Sequence, residues 1–161
     1  MLIHKLIVFF DKFKRMPYVR RSAWVSKHAV ISRDCVIGER VKIKCNLGEE
    51  TRVGSNCFIA DDVVIFGEVE IGNGTRVLSK SFIQTCSHDE GDLDIVNCKN
   101  ERIKIGENVV VDSCCCIGKG VMIGDGAIVM MGSVVLNDVP SRSVVCGNPA
   151  RVVGFRKNGV K

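Results

Sequence analysis

No run of about 18 apolar residues occurs in this 161-residue chain, so a membrane-spanning helix is not expected. Aromatic side chains make up only 6%, and between positions 25 and 150 the only ones are Phe58, Phe66 and Phe82. That scarcity leaves no platform on which bases would stack, and nucleic-acid binding is not expected. Proline occurs 3 times, and no CxxC pair exists among 9 cysteines, three of them consecutive at Cys114, Cys115 and Cys116. An odd, clustered set makes a poor disulfide framework and points to reduced thiols in a cytoplasmic setting. The opening Leu6 to Phe10 stretch is crowded by Lys5, Asp11 and Lys12, and no small-residue cleavage site follows it, so it does not read as a secretory leader.

In place of aromatics the chain has 40 Val and Ile residues and 16 glycines, a mixture that favours short strands and tight turns in one all-β domain. The net charge of +5 is unevenly spread. Residues 1–27 hold seven Lys or Arg against Asp11, residues 151–161 hold four basic residues and no acid, and the body between is acidic.

An aliphatic residue recurs every six positions in three registers. These are Val25, Ile31, Ile37, Ile43; then Leu47, Val53, Ile59, Ile65, Ile71, Val77, Ile83; then Ile105, Val111, Ile117, Ile123, Val129, Val135. Four residues beyond most of them stands something small or β-branched, such as Ala29, Cys35, Thr51, Cys57, Thr75, Ser81, Cys115 and Ser133. A period of six fits neither a helix nor a simple alternating strand. It fits short strands joined by tight turns, three to a coil, stacked at the ordinary strand spacing of about 4.8 Å.

With that repeat, the stretch IGDGAIVMMGSVVLNDVPSRSVVCGNPARVVG (Ile123 to Gly154) and the Ser87-His88-Asp89 triplet, the sequence resembles the hexapeptide-repeat acyltransferases. Within that family it is similar to the sugar O-acetyltransferases of surface-polysaccharide synthesis. The resemblance implies a left-handed parallel β-helix over residues 22–155, a homotrimer, and transfer of an acetyl group from acetyl-CoA to a sugar hydroxyl. It also implies His88 as general base. A non-catalytic β-helix scaffold, or a transferase acting on a sugar amine or on serine, is the alternative.

The residues allow such chemistry. The step from Ile83 to Ile105 is 22 residues, four more than one 18-residue coil, so a loop around residues 86–103 must leave the helix. It carries His88, whose ordinary pKa near 6.5 suits removal of a hydroxyl proton during attack on a thioester. A plain solvated histidine is what the residue alone would suggest. One coil back from His88, by subtraction of 18, lies Glu70, which would either orient the imidazole or serve as an outward turn charge. Asp61, Asp62 and Asp89 are candidate acceptor contacts, with ordinary turn carboxylates as the competing reading.

For the coenzyme, the resemblance implies Ser113, Gly132, Ser133, Asn148 and Arg151, although Ser133 also occupies a small inward repeat position. A covalent route through Cys86 or the Cys114–Cys116 run is the rival mechanism. No metal is expected, since His4 and His28 lie outside the loop and its coils. In residues 1–21, Leu2, Leu6, Phe9, Phe13 and Met16 form one stripe of an amphipathic helix. That stripe would cap the β-helix or rest on the inner face of an anionic membrane. Residues 156–161 form a basic tail.

Overall fold

The computed structural model describes residues 18–45, 48–87 and 99–156. The chain winds into a prism of three parallel sheets. The first face stacks Tyr18–Val19, Val36–Ile37, Phe58–Ile59, Arg76–Val77, Val110–Val111, Ile128–Val129 and Ser143–Gly147, and antiparallel Ala150–Phe155 closes its edge. The second face comprises Trp24–Val25, Lys42–Lys44, Val64–Phe66, Phe82–Gln84, Cys116–Ile117 and Val134–Val135. The third comprises Ala29–Ile31, Thr51–Val53, Val69–Ile71, Ile103–Ile105 and Met122–Ile123. An isolated bridge from Ile123 to Val139 extends this last sheet.

Before the C-terminal hairpin each strand is two or three residues long because one inward β-branched side chain is nearly all that a narrow prism holds per face. The described repeat positions are buried, save half-buried Val25. Leu47, assigned to the repeat on sequence, lies outside the described residues. Between faces the chain turns through left-handed backbone, stacked at two corners. Arg40, Asp62, Lys80, Cys114 and Gly132 take it where the first face meets the second, and Asn56, Gly74, Asn108, Gly126 and Arg142 where the third meets the first.

Two insertions break the coil, both where the second face meets the third, and the last coil is two residues short. Consecutive coils normally place partners 18 residues apart, as with Ile59 and Val77. Between Ile43 and Ile65 the step is 22, and between Val77 and Val111 it is 34. The longer excursion is therefore not one coil plus four residues. It is inserted within a single coil, between Phe82–Gln84 and Ile103–Ile105. Its root is an antiparallel ribbon pairing Cys86 with Asn100 and Ser87 with Lys99. Ile103 is already a fully buried coil residue, so the excursion ends before the expected limit of 103.

The N-terminal stripe from Leu2 to Met16 lies outside the described residues. Tyr18–Val19 is a strand paired with Val36–Ile37, so the β-helix starts ahead of the boundary expected at residue 22. At the other end Arg156 belongs to the fold rather than to a free tail. Its N–H donates to the Arg142 carbonyl at 2.8 Å, and its guanidinium donates to the Gly126 carbonyl at 3.2 Å. Among the described residues no helix is long and apolar enough to cross a membrane.

Candidate active site

The corner between the first and second faces gathers four sequence candidates into one column. A main-chain ladder runs up it: Asp62 N–H donates to Glu39 O (2.9 Å), Lys80 to Asp61 (3.1 Å), Cys114 to Ser79 (3.0 Å) and Gly132 to Ser113 (3.0 Å). In the lower half the side chains are spent on the corner itself. Asp61 Oδ1 accepts from Glu39 N–H at 2.8 Å and fills the space that a Cβ on Gly38 would need. Asp62 accepts from Arg40 Nε at 2.7 Å and from Nη2 at 2.8 Å, and this guanidinium holds its carboxyl below the usual carboxylate range. These carboxylates lock stacked turns, the role weighed above against acceptor contact.

The upper half is open. Ser113 is half-buried, with its N–H given to Asp112 Oδ1 at 2.6 Å. Gly132 is exposed at φ 73°, and nothing lies within 4 Å of the place a Cβ would occupy. A ligand can therefore approach the main chain closely there. Ser133 has the opposite fate. It is fully buried, its hydroxyl donates to the Met130 carbonyl at 2.5 Å, and it accepts from Gly147 N–H at 3.3 Å. The Ser133 side chain thus takes the small inward repeat position, and its hydroxyl is committed to the core.

His88 and Asp89 lie outside the described residues, beyond the ribbon at the second-to-third corner. Glu70 stands on the third face, in register with Arg52 below and Lys104 above. The 18-residue subtraction that set it beneath His88 is corrected, because the excursion makes Lys104 its neighbour on the next coil. The Glu70 carboxylate pairs with Arg102 Nη2 at 2.7 Å.

Asn148 lies in the turn of the C-terminal hairpin and Arg151 on its returning strand, and both are exposed. Arg151 lines a cavity of about 300 Å³ at the open end of the prism, whose floor is Val135, Val139 and Val145 and whose rim holds Asn137 and Asp138. The thiols divide by the same inward and outward alternation. Cys35, Cys57 and Cys115 point inward and donate to the carbonyls of Gly54, Gly72 and Met130 at 3.0, 3.1 and 3.2 Å. Burial pushes the Cys115 thiol up, away from reactive thiolate. Cys86 is buried, whereas Cys114 and Cys116 are exposed. Among the described residues no cluster of three or more His, Cys, Asp or Glu side chains could hold a metal.

One contact escaped the sequence reading. Glu49, on the shorter interruption, accepts a hydrogen bond from Asn100 Nδ2 at 2.8 Å. The ten-residue step from Ile43 to Val53 was the only signal for that bulge.

No family model matches the chain. Over 130 residues it is 32% identical to WcaF of Escherichia coli K12, which is assigned by name to acetyl transfer in colanic acid biosynthesis; the match covers 80% of this chain and 70% of WcaF. A maltose O-acetyltransferase from Clostridium difficile 630 superposes with a TM-score of 0.65 at 30% identity, over 76% of this chain and 70% of that one. A hexapeptide-repeat acetyltransferase from Vibrio cholerae, solved with acetyl coenzyme A, superposes at 0.60 with 27% identity, over 81% of this chain and 72% of that one. Among plant serine acetyltransferases, one from Arabidopsis thaliana is 40% identical over 91 residues, and the chain spans about a quarter of its length. The prism is the left-handed parallel β-helix of the hexapeptide-repeat acetyltransferases. The chain belongs to that family.

Proposed function

We propose that the protein transfers an acetyl group from acetyl-CoA to a hydroxyl of a sugar or sugar-containing acceptor, and that it does so as a homotrimer. The observation that carries this reading is the division of the candidate groups between two corners of one prism. The open column at Ser113 and Gly132 lies at one edge of the second face, and the ribbon leading into His88 lies at the other. About five or six strand residues at about 3.3 Å each separate them, so the chain's own corners stand roughly 15–20 Å apart. A neighbouring copy brings its ribbon corner against this chain's open column without the chain having to cross its own face.

The outward rows support such packing. The first face shows Tyr18, Val36, Phe58, Arg76, Val110, Ile128 and Val144, and the second shows Trp24, Lys42, Val64, Phe82, Cys116 and Val134. Most are apolar, and an apolar surface of that extent marks an interaction site. The third face shows Val30, Arg52, Glu70, Lys104 and Met122, apolar at its ends and charged through its middle.

In this reading the upper column receives the pantetheine arm of acetyl-CoA. Main-chain groups at Ser113 and Gly132 contact it closely, while Asn148 and Arg151 approach its distal end. The bound thioester supplies an already activated acetyl group. His88 accepts the acceptor's hydroxyl proton as that oxygen bonds to the acetyl carbonyl carbon, and delivers the proton to the departing thiolate sulfur. The colanic acid assignment in WcaF's name and the maltose O-acetyl transfer in the Clostridium enzyme's name support a sugar hydroxyl. The experiment is to follow thiol release from acetyl-CoA with sugars, nucleotide sugars, an amino sugar and serine as acceptors. Release that depends on a sugar hydroxyl is expected; release only with the amino sugar, only with serine, or with none overturns the reading.

A further inference from the structure

We propose that Lys44, Phe66 and Gln84 form an acceptor subsite that takes a sugar ring bearing an anionic group, an inference that rests on the acetyl-transfer reading above. The three residues stand in one column on the outer side of the second face. Lys44 is in register with Phe66, and Phe66 with Gln84, on three successive coils. Coils stack about 4.8 Å apart, so the column is about 10 Å long, enough for a sugar ring and its substituents. It runs along the edge that meets the third face, just below the ribbon root, because Cys86 and Ser87 follow Gln84 on the same coil. In the trimer reading this is the corner that a neighbouring copy's open column approaches. An acceptor held here lies beside the neighbour's acetyl-CoA.

Charge and chemistry along this edge suit such a ligand. Lys44 is exposed, and its Nζ lies 5.2 Å from the centroid of the half-buried Phe66 ring. Lys42, also exposed, projects from the same side of the same strand. No carboxylate among the described residues pairs with either lysine. Those near the corner are already engaged: Glu49 with Asn100, Glu50 with Arg52, Glu68 and Glu70 with Arg102, and Glu101 with Lys119. The edge therefore carries positive charge without a counterion, beside an aromatic ring. A cation resting on a solvent-facing ring is weakly held, so a carboxylate or phosphate draws the ammonium to itself and uncovers the ring. The negative face of the ring then meets the C–H groups of the sugar. At the upper end Gln84 Nε2 donates to the Cys86 carbonyl at 2.6 Å, which fixes the amide and leaves its Oε1 to accept from a sugar hydroxyl. A cation, an apolar platform and a fixed acceptor are the few placed groups by which a site orients a small polar ligand.

The test measures binding and acetylation of glucose, glucuronate and glucose 1-phosphate, which share a ring and differ in charge, by wild type, Lys44→Met, Lys44→Arg and Phe66→Leu. A hydrogen bond to a charged group is worth about 10-fold in affinity, so the wild type is expected to bind an anionic sugar about 10-fold more tightly than glucose at low salt. The tighter of the two anionic sugars identifies the favoured group as carboxylate or phosphate. Lys44→Met is expected to abolish the preference for charge, Lys44→Arg to restore it, and high salt to weaken it in the wild type. Phe66→Leu is expected to weaken all three sugars alike, by about 5-fold. The KM for acetyl-CoA and the Tm are expected to stay unchanged in every variant. A wild type that binds none of the three sugars, or binds charged and neutral ones equally, overturns the proposal; so does a preference that survives Lys44→Met. An anionic sugar that binds through Lys44 but is acetylated on no hydroxyl overturns the acetyl-transfer reading instead, and leaves the anionic-sugar site standing.

Discussion

The corner between the first and second faces and the corner between the second and third are built from the same repeat, yet they have been used in opposite ways. The former keeps its period through the column from Arg40 to Gly132, with left-handed residues stacked and main-chain hydrogen bonds passing from coil to coil. The latter is broken twice, by a four-residue bulge and by the excursion that contains His88. Regularity yields a rigid edge on which main chain can be presented to a ligand. Interruption yields a place where a titratable side chain can stand off the wall, as functional loops on stiff scaffolds do. The division explains why the inward cysteines, serines and threonines, however suggestive chemically, have no part in the chemistry proposed here.

The sharpest way to test that division is to remove the one imidazole assigned to the interrupted corner. His88→Ala is expected to lower kcat by roughly 10²–10⁴-fold, while acetyl-CoA binding, which is assigned to the regular corner, changes little. The wild-type rate should rise with pH as the imidazole loses its proton, and that limb should be missing from the variant. A folded variant that turns over within a few-fold of wild type would return attention to exposed Cys114 and Cys116.

Less of this layout is legible in the sequence than the clarity of the repeat suggests, and the reason is geometric. A six-residue period labels all three faces alike. It tells which side chains point inward, and the described repeat positions from Ile31 to Val135 do so as expected, but it does not tell which face a given repeat belongs to. The 22-residue step from Ile83 to Ile105 thus reads as a coil and a little more, whereas the chain goes from second face to third through a long insertion. Subtracting one coil from His88 lands on Glu70, whose true neighbour is Lys104. Ser133 illustrates the other limit. A Gly-Ser pair is visible as letters, and only the fold separates the open glycine from the serine committed to the core.

Assembly offers the next test, because the two corners are proposed to meet across a copy boundary. Placing a charge in an outward apolar row, as in Phe58→Glu or Phe82→Glu, should shift the protein from trimer toward monomer in light scattering. Activity should fall in step, with the β-sheet circular dichroism retained. Val30→Glu, on the third face, should leave both unchanged. Within a single prism the contrast is between the inner and outer sides of its sheets. Ile65→Ala removes a fully buried side chain and is expected to cost about 2–5 kcal/mol, whereas Val30→Ala, half exposed, should stay within about 0.5 kcal/mol of neutral.

The smallest effect is expected from the carboxylate that ties the regular corner together. Asp62 sits between Arg40 below and Lys80 above, and its hydrogen bonds from Arg40 lower its pKa in the folded state. A group whose folded pKa is depressed contributes stability above its unfolded pKa, about 3.9 for aspartate, and that contribution is lost as the pH falls through the folded value. Asn tolerates the left-handed backbone that position 62 requires, so Asp62→Asn removes the charge without straining the turn. The variant should melt slightly below wild type at neutral pH, and the gap should close in acid as the wild-type carboxyl becomes protonated. Because the pair is open to solvent, 1 M salt should shrink the neutral-pH gap as well. A gap that persists unchanged at pH 2 would mean that the corner depends on the shape of Asp62 and not on its charge.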